Sequence, residues 1–387
     1  MTTIASETDL LAAARGLVPL IEQLRDEIER ERRLPLPIVE ALRAAGVFRM
    51  TMPRSLGGME AHPRAQFEVL EALSMLDASV GWCGYIGGSA GWFTAYLDEA
   101  TAREMYPNPD LIAGGAAGRP SGQAVQVDGG FRVSGRWPFG SGAHHCDWLA
   151  SACMVYDGDT RRSDAAGRPE VRLVLMPAND CELIDTWVTT GLRGSGSVDY
   201  AVDDLFVPVE RTFSLASSPI VQAGPLYRLR TMFLLNHSAV GLGIGRAAID
   251  ALLALATDKK RVTGTPLREE AYAQAAVARA EALIGSARAY VLAVLDEIWQ
   301  TLLAGDEASE QQRARFRLAI VNSHTAAVEA VDLMYHTGGG SALYAANPLD
   351  RLFRDIHTIN QHVVVAPKTY EQSGRVLLGL DPGVPLF

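Results

Sequence analysis

Leu10, Ala14, Leu17, Ile21, Leu24 and Ile28 recur at alternating spacings of four and three, the stripe of an amphipathic helix running towards Pro35. A second helix is predicted over 36–45, and Pro63 opens a third near 64–76 after the Gly57-Gly58 turn. Residues 79–97, apolar and rich in glycine and aromatics, predict one buried helix. Near Leu111 the period shortens. Val125 and Val127, then Asp128-Gly129-Gly130, then Phe131 and Val133 spell a hairpin, and 171–176 and 200–207 are further strands. Six or more short strands in about 100 residues predict a small barrel or sandwich. From Leu226 the helical period returns in four long stretches, 226–257, 266–304, 307–336 and 348–378, the pattern of an up-down bundle. The chain therefore reads as α+β: an N-terminal α-helical domain over 1–110, a central β-barrel over 111–215 and a C-terminal four-helix bundle over 216–387.

Composition narrows the class. With 387 residues, 48% hydrophobic and 21% charged, the chain suits a globular protein of two or three packed modules. A net charge of −10 argues against a nucleic-acid partner, because phosphate binding wants a basic face. The four cysteines lack C-x-x-C spacing and predict free thiols and no metal site. No basic segment followed by an apolar core marks the start of the chain. The longest apolar stretch, 239–256, carries Arg246 and Asp250 and falls short of a ~20-residue span. These features lead us to expect a cytoplasmic protein without a membrane partner.

Titratable and glycine-rich segments supply the candidate chemistry. Gly338, Gly339 and Gly340 precede a predicted helix on which Asp355, Ile359 and His362 stand at i, i+4 and i+7, hence on one face. A satisfied structural histidine is the commoner explanation of His362 taken singly. Trp137-Pro-Phe139-Gly-Ser141-Gly142 combines stacking surfaces, close-approach glycines and one hydroxyl, though a tight turn around a packed tryptophan has the same composition. Gly191 to Ser197, with Ser195 and Ser197, offers clustered donors for a phosphate or ribityl chain, or is a solvent loop. Arg261 precedes a long helix bearing Gln274 and suits a pyrophosphate or bare solvent. Gly241-Leu-Gly-Ile-Gly245 fails the dinucleotide fingerprint, with Arg246 at the third glycine position; close helix packing explains it better. His62, His237 and His324 have no partner identifiable from sequence. No G-x-S-x-G, P-loop or H-E-x-x-H is present.

Taken in order, these segments resemble the acyl-CoA dehydrogenase superfamily over almost the whole chain. Asp77-Ala-Ser-Val-Gly-Trp82 comes first, then Gly135 to Asp147, Gly191 to Ser197 with Leu205-Phe-Val-Pro208, Arg261 with Gln274, and Gly338 to Gly340 with Arg354-Asp355. A dehydrogenase of this family needs a carboxylate base. Asn360 to Val365 holds no acid where one is expected, and Asp250 is the sole acid between 234 and 250. The chain is more similar to the two-component flavin-dependent monooxygenase branch, in which Arg-Asp is followed by His, as Asp355 is by His362. That branch also carries an aromatic-x-Phe-x-Ser-Gly segment, as at Trp137 to Gly142, and the ending Asp381 to Phe387 has a similar look. Some members carry a second active-site histidine where Ser89 and Ala90 stand here.

The resemblance implies a monooxygenase that takes reduced flavin, FMN or FAD, from a separate NAD(P)H:flavin reductase. It then uses O2, through a flavin hydroperoxide, to oxygenate a small aromatic or polycyclic molecule. On this expectation Ser141 contacts flavin N5, His362 serves the peroxide and Asp355 supports it. Trp137 and Phe139 wall the flavin with Gly142, and Ser195, Ser197 and Gly338 to Gly340 also hold it. Arg261 and Gln274 reach the flavin of a neighbouring subunit in a homotetramer. Trp82, Tyr85, Phe93 and Phe233 would line the substrate pocket. A dehydrogenase or oxidase with an unrecognised base, and a non-catalytic interaction protein on the same fold, are the competing readings.

Overall fold

The computed structural model describes residues 7–163, 167–260, 264–384 and 386–387. Seven helices come first: α1 Glu7–Arg15, α2 Val18–Glu31, α3 Leu36–Ala44, α4 Pro63–Leu76, α5 Ala78–Gly87, α6 Ala90–Thr94 and α7 Glu99–Met105. Nine strands follow: β1 Ala113–Ala116, β2 Gly122–Val127, β3 Gly130–Gly140, β4 Trp148–Asp157, β5 Thr160–Arg161, β6 Val171–Pro177, β7 Glu182–Ile184, β8 Val198–Pro208 and β9 Thr212–Phe213. The chain then returns to helix: α8 Pro225–Arg228, α9 Leu235–Asp258, α10 Ala271–Leu303, α11 Glu310–Gly338, α12 Pro348–Ile359 and α13 Lys368–Leu377. The α–β–α order expected from the periodicities is present.

Three expected single helices are broken. The N-terminal stripe is split at Gly16-Leu17 into α1 and α2, yet Leu10, Ala14, Ile21 and Ile28 all remain fully buried. Residues 79–97 divide at Gly88-Ser89 into α5 and α6, and Gly91 lets α6 lie on the backbone of Thr51, where a Cβ would stand 2.1 Å from the carbonyl oxygen. The stretch 348–378 divides into α12 and α13, with a short 3-10 turn, Val363–Val365, between them. His362 caps that turn, so it does not share a helical face with Asp355 as expected.

The strands form one sheet of order β7-β8-β3-β2-β4-β6-β9, with β1 and β5 also on β4. The end strands β7 and β9 do not pair with each other, so backbone hydrogen bonds do not close the expected barrel among the described residues. Trp137 of β3 stands opposite Tyr200 of β8, their rings stacked at 5.5 Å, and its indole N–H donates to the Ala152 carbonyl at 2.8 Å. Gly122 and Gly135 make room for that ring: a Cβ on Gly122 would lie 2.1 Å from it. With 0% exposure, Trp137 is a core residue of the sheet, and the expected flavin wall at this position is not available.

Helix α9 runs through the middle of the helical half, packed by α4, α10, α11 and α12. Against the expectation that the longest apolar stretch falls short of a membrane span, Met232–Thr257 is long and apolar enough to cross one, and most of its apolar part is buried inside the protein. Its glycines serve close packing, as expected. A Cβ on Gly243 would meet the Glu71 carbonyl oxygen of α4 at 2.6 Å, and one on Gly241 would meet the His324 ring of α11 at 3.0 Å.

Candidate active site

Three serines from two segments form a chain of hydroxyls. Ser141 follows β3, near whose end Phe139 takes a left-handed φ of 65° and is 66% exposed. Gly142 donates its N–H to the Ser195 carbonyl at 2.8 Å, which ties this turn to the 191–197 loop. Ser141 Oγ and Ser197 Oγ are 2.7 Å apart, as are Ser197 Oγ and Ser195 Oγ, and Ser195 donates to the Leu192 carbonyl at 2.7 Å. Trp82 of α5 donates its indole N–H to Ser141 Oγ at 2.9 Å.

That tryptophan also borders a cluster of buried rings. Trp82 meets Tyr85 at 5.4 Å, His237 at 5.2 Å and His362 at 5.6 Å, each edge to face. His237 lies 4.7 Å from His362 and 4.6 Å from His324, centroid to centroid. His324 Nε2 is 3.0 Å from the His237 carbonyl oxygen and 2.8 Å from His237 Nδ1. A carbonyl only accepts, so His324 Nε2 carries a proton; His237 Nδ1 must then accept, which puts the proton of neutral His237 on Nε2. That Nε2–H is buried and has no partner among the described residues. Burial pulls the His237 pKa well down, and His324 close by lowers it further. The pKa of His324 is pulled down to about 4, chiefly by burial. His362 is also lowered to about 4 by burial, and its Nδ1 accepts the Val364 N–H at 3.3 Å, so at neutral pH it is an Nε2–H donor and not a cation.

His237 and His324, 87 residues apart, were invisible as a pair in the sequence. The available signal was a polar ring on the buried stripe of each of two long helices, and α9 and α11 bring them together across Gly241.

Asp355 is buried and faces the 191–197 loop, where its carboxylate accepts the Leu192 N–H at 2.6 Å. Burial, with Asp77 close by, raises its pKa to about 7. Around it Arg351 bridges Glu29 and Asp77, both at 3.2 Å, and Arg354 reaches Asp350 at 2.9 Å. Asp77 also caps α5, accepting the Ser79 N–H at 2.9 Å. Arg351 and Asp355 thus anchor α2, α5 and the serine loop to α12.

The remaining candidates scatter. Phe233 packs against Trp92 at 6.3 Å, and Phe93 joins Phe213 at 6.2 Å in the separate core around β6 and β9. Phe93 therefore stands apart from the Trp82–Tyr85 cluster that it was expected to join. Gly338 closes α11 and its carbonyl accepts from Lys259 Nζ; Gly339 has a φ of 54°, and Gly340 follows into open space. Gln274, near the start of α10, donates to the Arg268 carbonyl at 3.1 Å on the surface. Arg261 lies outside the described residues. Among the described residues no cluster of three metal-ligating side chains occurs.

Comparison with known proteins decides what this architecture is. The acyl-CoA dehydrogenase N-terminal domain model matches residues 9–105 and the C-terminal domain model matches residues 235–367. The indole-3-acetate monooxygenase of Pseudomonas putida is 32% identical over 98% of this chain and 97% of its own. The chain belongs to the acyl-CoA dehydrogenase superfamily. Its branch is that of the flavin-dependent monooxygenases. HsaA of Mycobacterium tuberculosis, a flavin-dependent monooxygenase oxygenase subunit, has a crystal structure that superposes with a TM-score of 0.90 at 28% identity, covering 99% of this chain and 100% of that one. XiaF from Streptomyces sp., solved in complex with FADH2 and glycerol, gives a TM-score of 0.89 at 25% identity over 98% of both chains. The protein is a reduced-flavin-dependent monooxygenase, the oxygenase component of a system whose flavin is reduced by a separate partner.

Proposed function

We propose that this monooxygenase oxygenates a small aromatic molecule held beside Trp82 and Tyr85, with the flavin seated against Phe139 and Ser141. One observation carries the proposal. Trp82 joins the two halves, its N–H on Ser141 and its ring on Tyr85, His237 and His362. The residues present fit a flavin: Phe139 offers an exposed planar face two residues from the Ser141 hydroxyl, with the Trp187 ring 6.3 Å away, edge to face. Bound reduced flavin would supply the two electrons that activate dioxygen.

This chain's own groups then have defined tasks. His362, neutral with its proton on Nε2, donates a hydrogen bond to oxygen and can give up and regain that proton. His237 presents a second N–H, held in that tautomer by His324, and suits an acceptor on the substrate. The aromatic cluster excludes water, which would otherwise divert the bound oxygen to hydrogen peroxide. Asp355 acts through Leu192, fixing the loop that holds Ser195 and Ser197.

The relatives support the aromatic class: one is named for indole-3-acetate, and another is an FADH2-dependent resorcinol hydroxylase from Rhizobium sp.. We place the enzyme in the cytoplasm as a homotetramer in which Arg261 and Gln274 approach a neighbour's flavin and Gly338 to Gly340 help hold it. Leu343, Tyr344, Val363 and Leu378, each 68–80% exposed, support burial by another subunit.

The test supplies chemically reduced FAD or FMN, with oxygen, and a panel of phenols and indoles. Mono-oxygenated product is expected from the wild type and none from His362→Ala, whose melting curve should stay intact. Equal coupled turnover by His362→Ala would remove the histidine from the mechanism, and peroxide without product across the panel would overturn the aromatic class.

A further inference from the structure

The serine chain has a direction, and it can be read from its two ends. The Leu192 carbonyl only accepts, so the proton at the 2.7 Å contact must come from Ser195. Ser195 has then used its single proton, and the 2.7 Å contact with Ser197 requires Ser197 to donate. Ser197 is likewise committed, so Ser141 donates across its own 2.7 Å contact with Ser197. At the other end, the Trp82 indole N–H can only donate, and it donates to Ser141. Every bond runs the same way, from Trp82 through Ser141, Ser197 and Ser195 to Leu192. Ser141 is left with one lone pair and no proton.

The direction is held from outside. Leu192 stands at a left-handed φ of 48°, its N–H on Asp355, and its carbonyl also takes the Trp187 indole N–H at 3.0 Å. Ser141, Ser195 and Ser197 are 6%, 1% and 3% exposed, so solvent offers little substitute for a broken link. A hydroxyl turned outward from Ser141 would leave a buried Ser197 oxygen short of its donor.

We propose that Ser197, Ser195 and the Leu192 carbonyl are what fix the Ser141 hydroxyl as an acceptor, and so set how strongly the site discriminates between reduced and oxidised flavin. The proposal rests on Ser141 facing the N5 edge of the isoalloxazine. Reduced flavin carries a hydrogen on N5, which the free lone pair of Ser141 accepts. Oxidised flavin presents a lone pair there, which faces another lone pair and gains nothing. Ser195 and Ser197 act as positioning residues in this scheme, orienting the Ser141 hydroxyl without needing to touch the ligand.

Equilibrium titration with oxidised FAD, and anaerobic titration with reduced FAD, test this without turnover. Wild type should bind reduced FAD more tightly. Ser197→Ala frees the Ser141 proton, so oxidised FAD should bind more tightly and the preference should fall roughly five- to thirty-fold, the worth of one hydrogen bond. Ser195→Ala, one link further along, should lower the preference less, and Ser197→Thr, which keeps a hydroxyl, should restore it. Equal binding of both states by wild type, or equal weakening of both by Ser197→Ala, overturns the directional scheme. Ser141→Ala separates the layers: it should loosen reduced FAD alone. If it changes neither titration, Ser141 does not face the flavin and the underlying site assignment fails.

Discussion

His237 holds a proton that nothing else in the described protein accepts, and His324 is what keeps it there. His324→Ala should therefore do two kinds of damage. It strips a donor from the buried His237 carbonyl, a loss of about 1–3 kcal/mol in unfolding free energy, and it lets His237 change tautomer. His324→Gln, with an amide N–H at similar reach, should recover part of the stability; chemical denaturation of both variants checks this. The pH dependence follows from the same residues. His324 and His362 sit near 4 in the folded protein, below the usual ~6.5, so between those values the unfolded chain binds protons that the folded one does not. Their stabilisation is complete above about pH 6.5 and is lost as the pH falls towards 4. Urea midpoints should drop between pH 7 and pH 5, and less so in a His324→Gln background. Asp355 pulls the other way over this range, so the difference between the two proteins is the test: an equal change in wild type and His324→Gln would show that the His324 ring is not desolvated as described.

Among the elements, α12 and α9 set the site by opposite means. Helix α12 works through charge. Asp355, raised to about 7, keeps its proton in the fold where an unfolded carboxyl has lost it, so its contribution shrinks as pH rises from about 4 to 7. Asp355→Asn keeps an oxygen for the Leu192 N–H and removes that slope. Its stability at pH 8, relative to pH 5, should exceed that of wild type by about 1–3 kcal/mol in urea unfolding. Helix α9 works through absence of side chains. Gly243→Ala drives a Cβ to 2.6 Å from the Glu71 carbonyl and should destabilise by about 1–3 kcal/mol, visible as a lowered melting temperature. The periodicities in the sequence were enough to find these helices, because one buried stripe per helix is a local property. They did not reveal the breaks at Gly16, Gly88 and Asn360, where the apolar spacing continues across a change of direction. Nor could they separate Trp137, buried against Tyr200, from Phe139 two residues on, since composition is blind to which side of a sheet a ring occupies.

For the whole molecule, the separate reductase and the subunit boundary are the testable properties. The protein alone, given free flavin and NADH or NADPH, should consume neither nicotinamide beyond background, since Gly241 to Gly245 lies inside α9 with no strand before it. Adding a reductase from any source should start oxygen transfer. Steady NADPH oxidation by the purified chain would contradict the two-component arrangement. Light scattering at micromolar concentration should return four times the 41.6 kDa chain mass, and a monomer there would discard the tetramer.

The burial of α9 also has a consequence for how the protein is made. A ribosome finishes this apolar segment at residue 258, whereas α11, which covers it, ends at Gly338. At about 5–20 residues per second, the greasiest part of the chain waits several seconds for its cover. During that interval it has the length and apolarity of a membrane span, and it competes for chaperones and insertion machinery on those terms. Slow translation beyond residue 258 prolongs the exposure, and its outcome is read in the yield of chain recovered outside the membrane fraction.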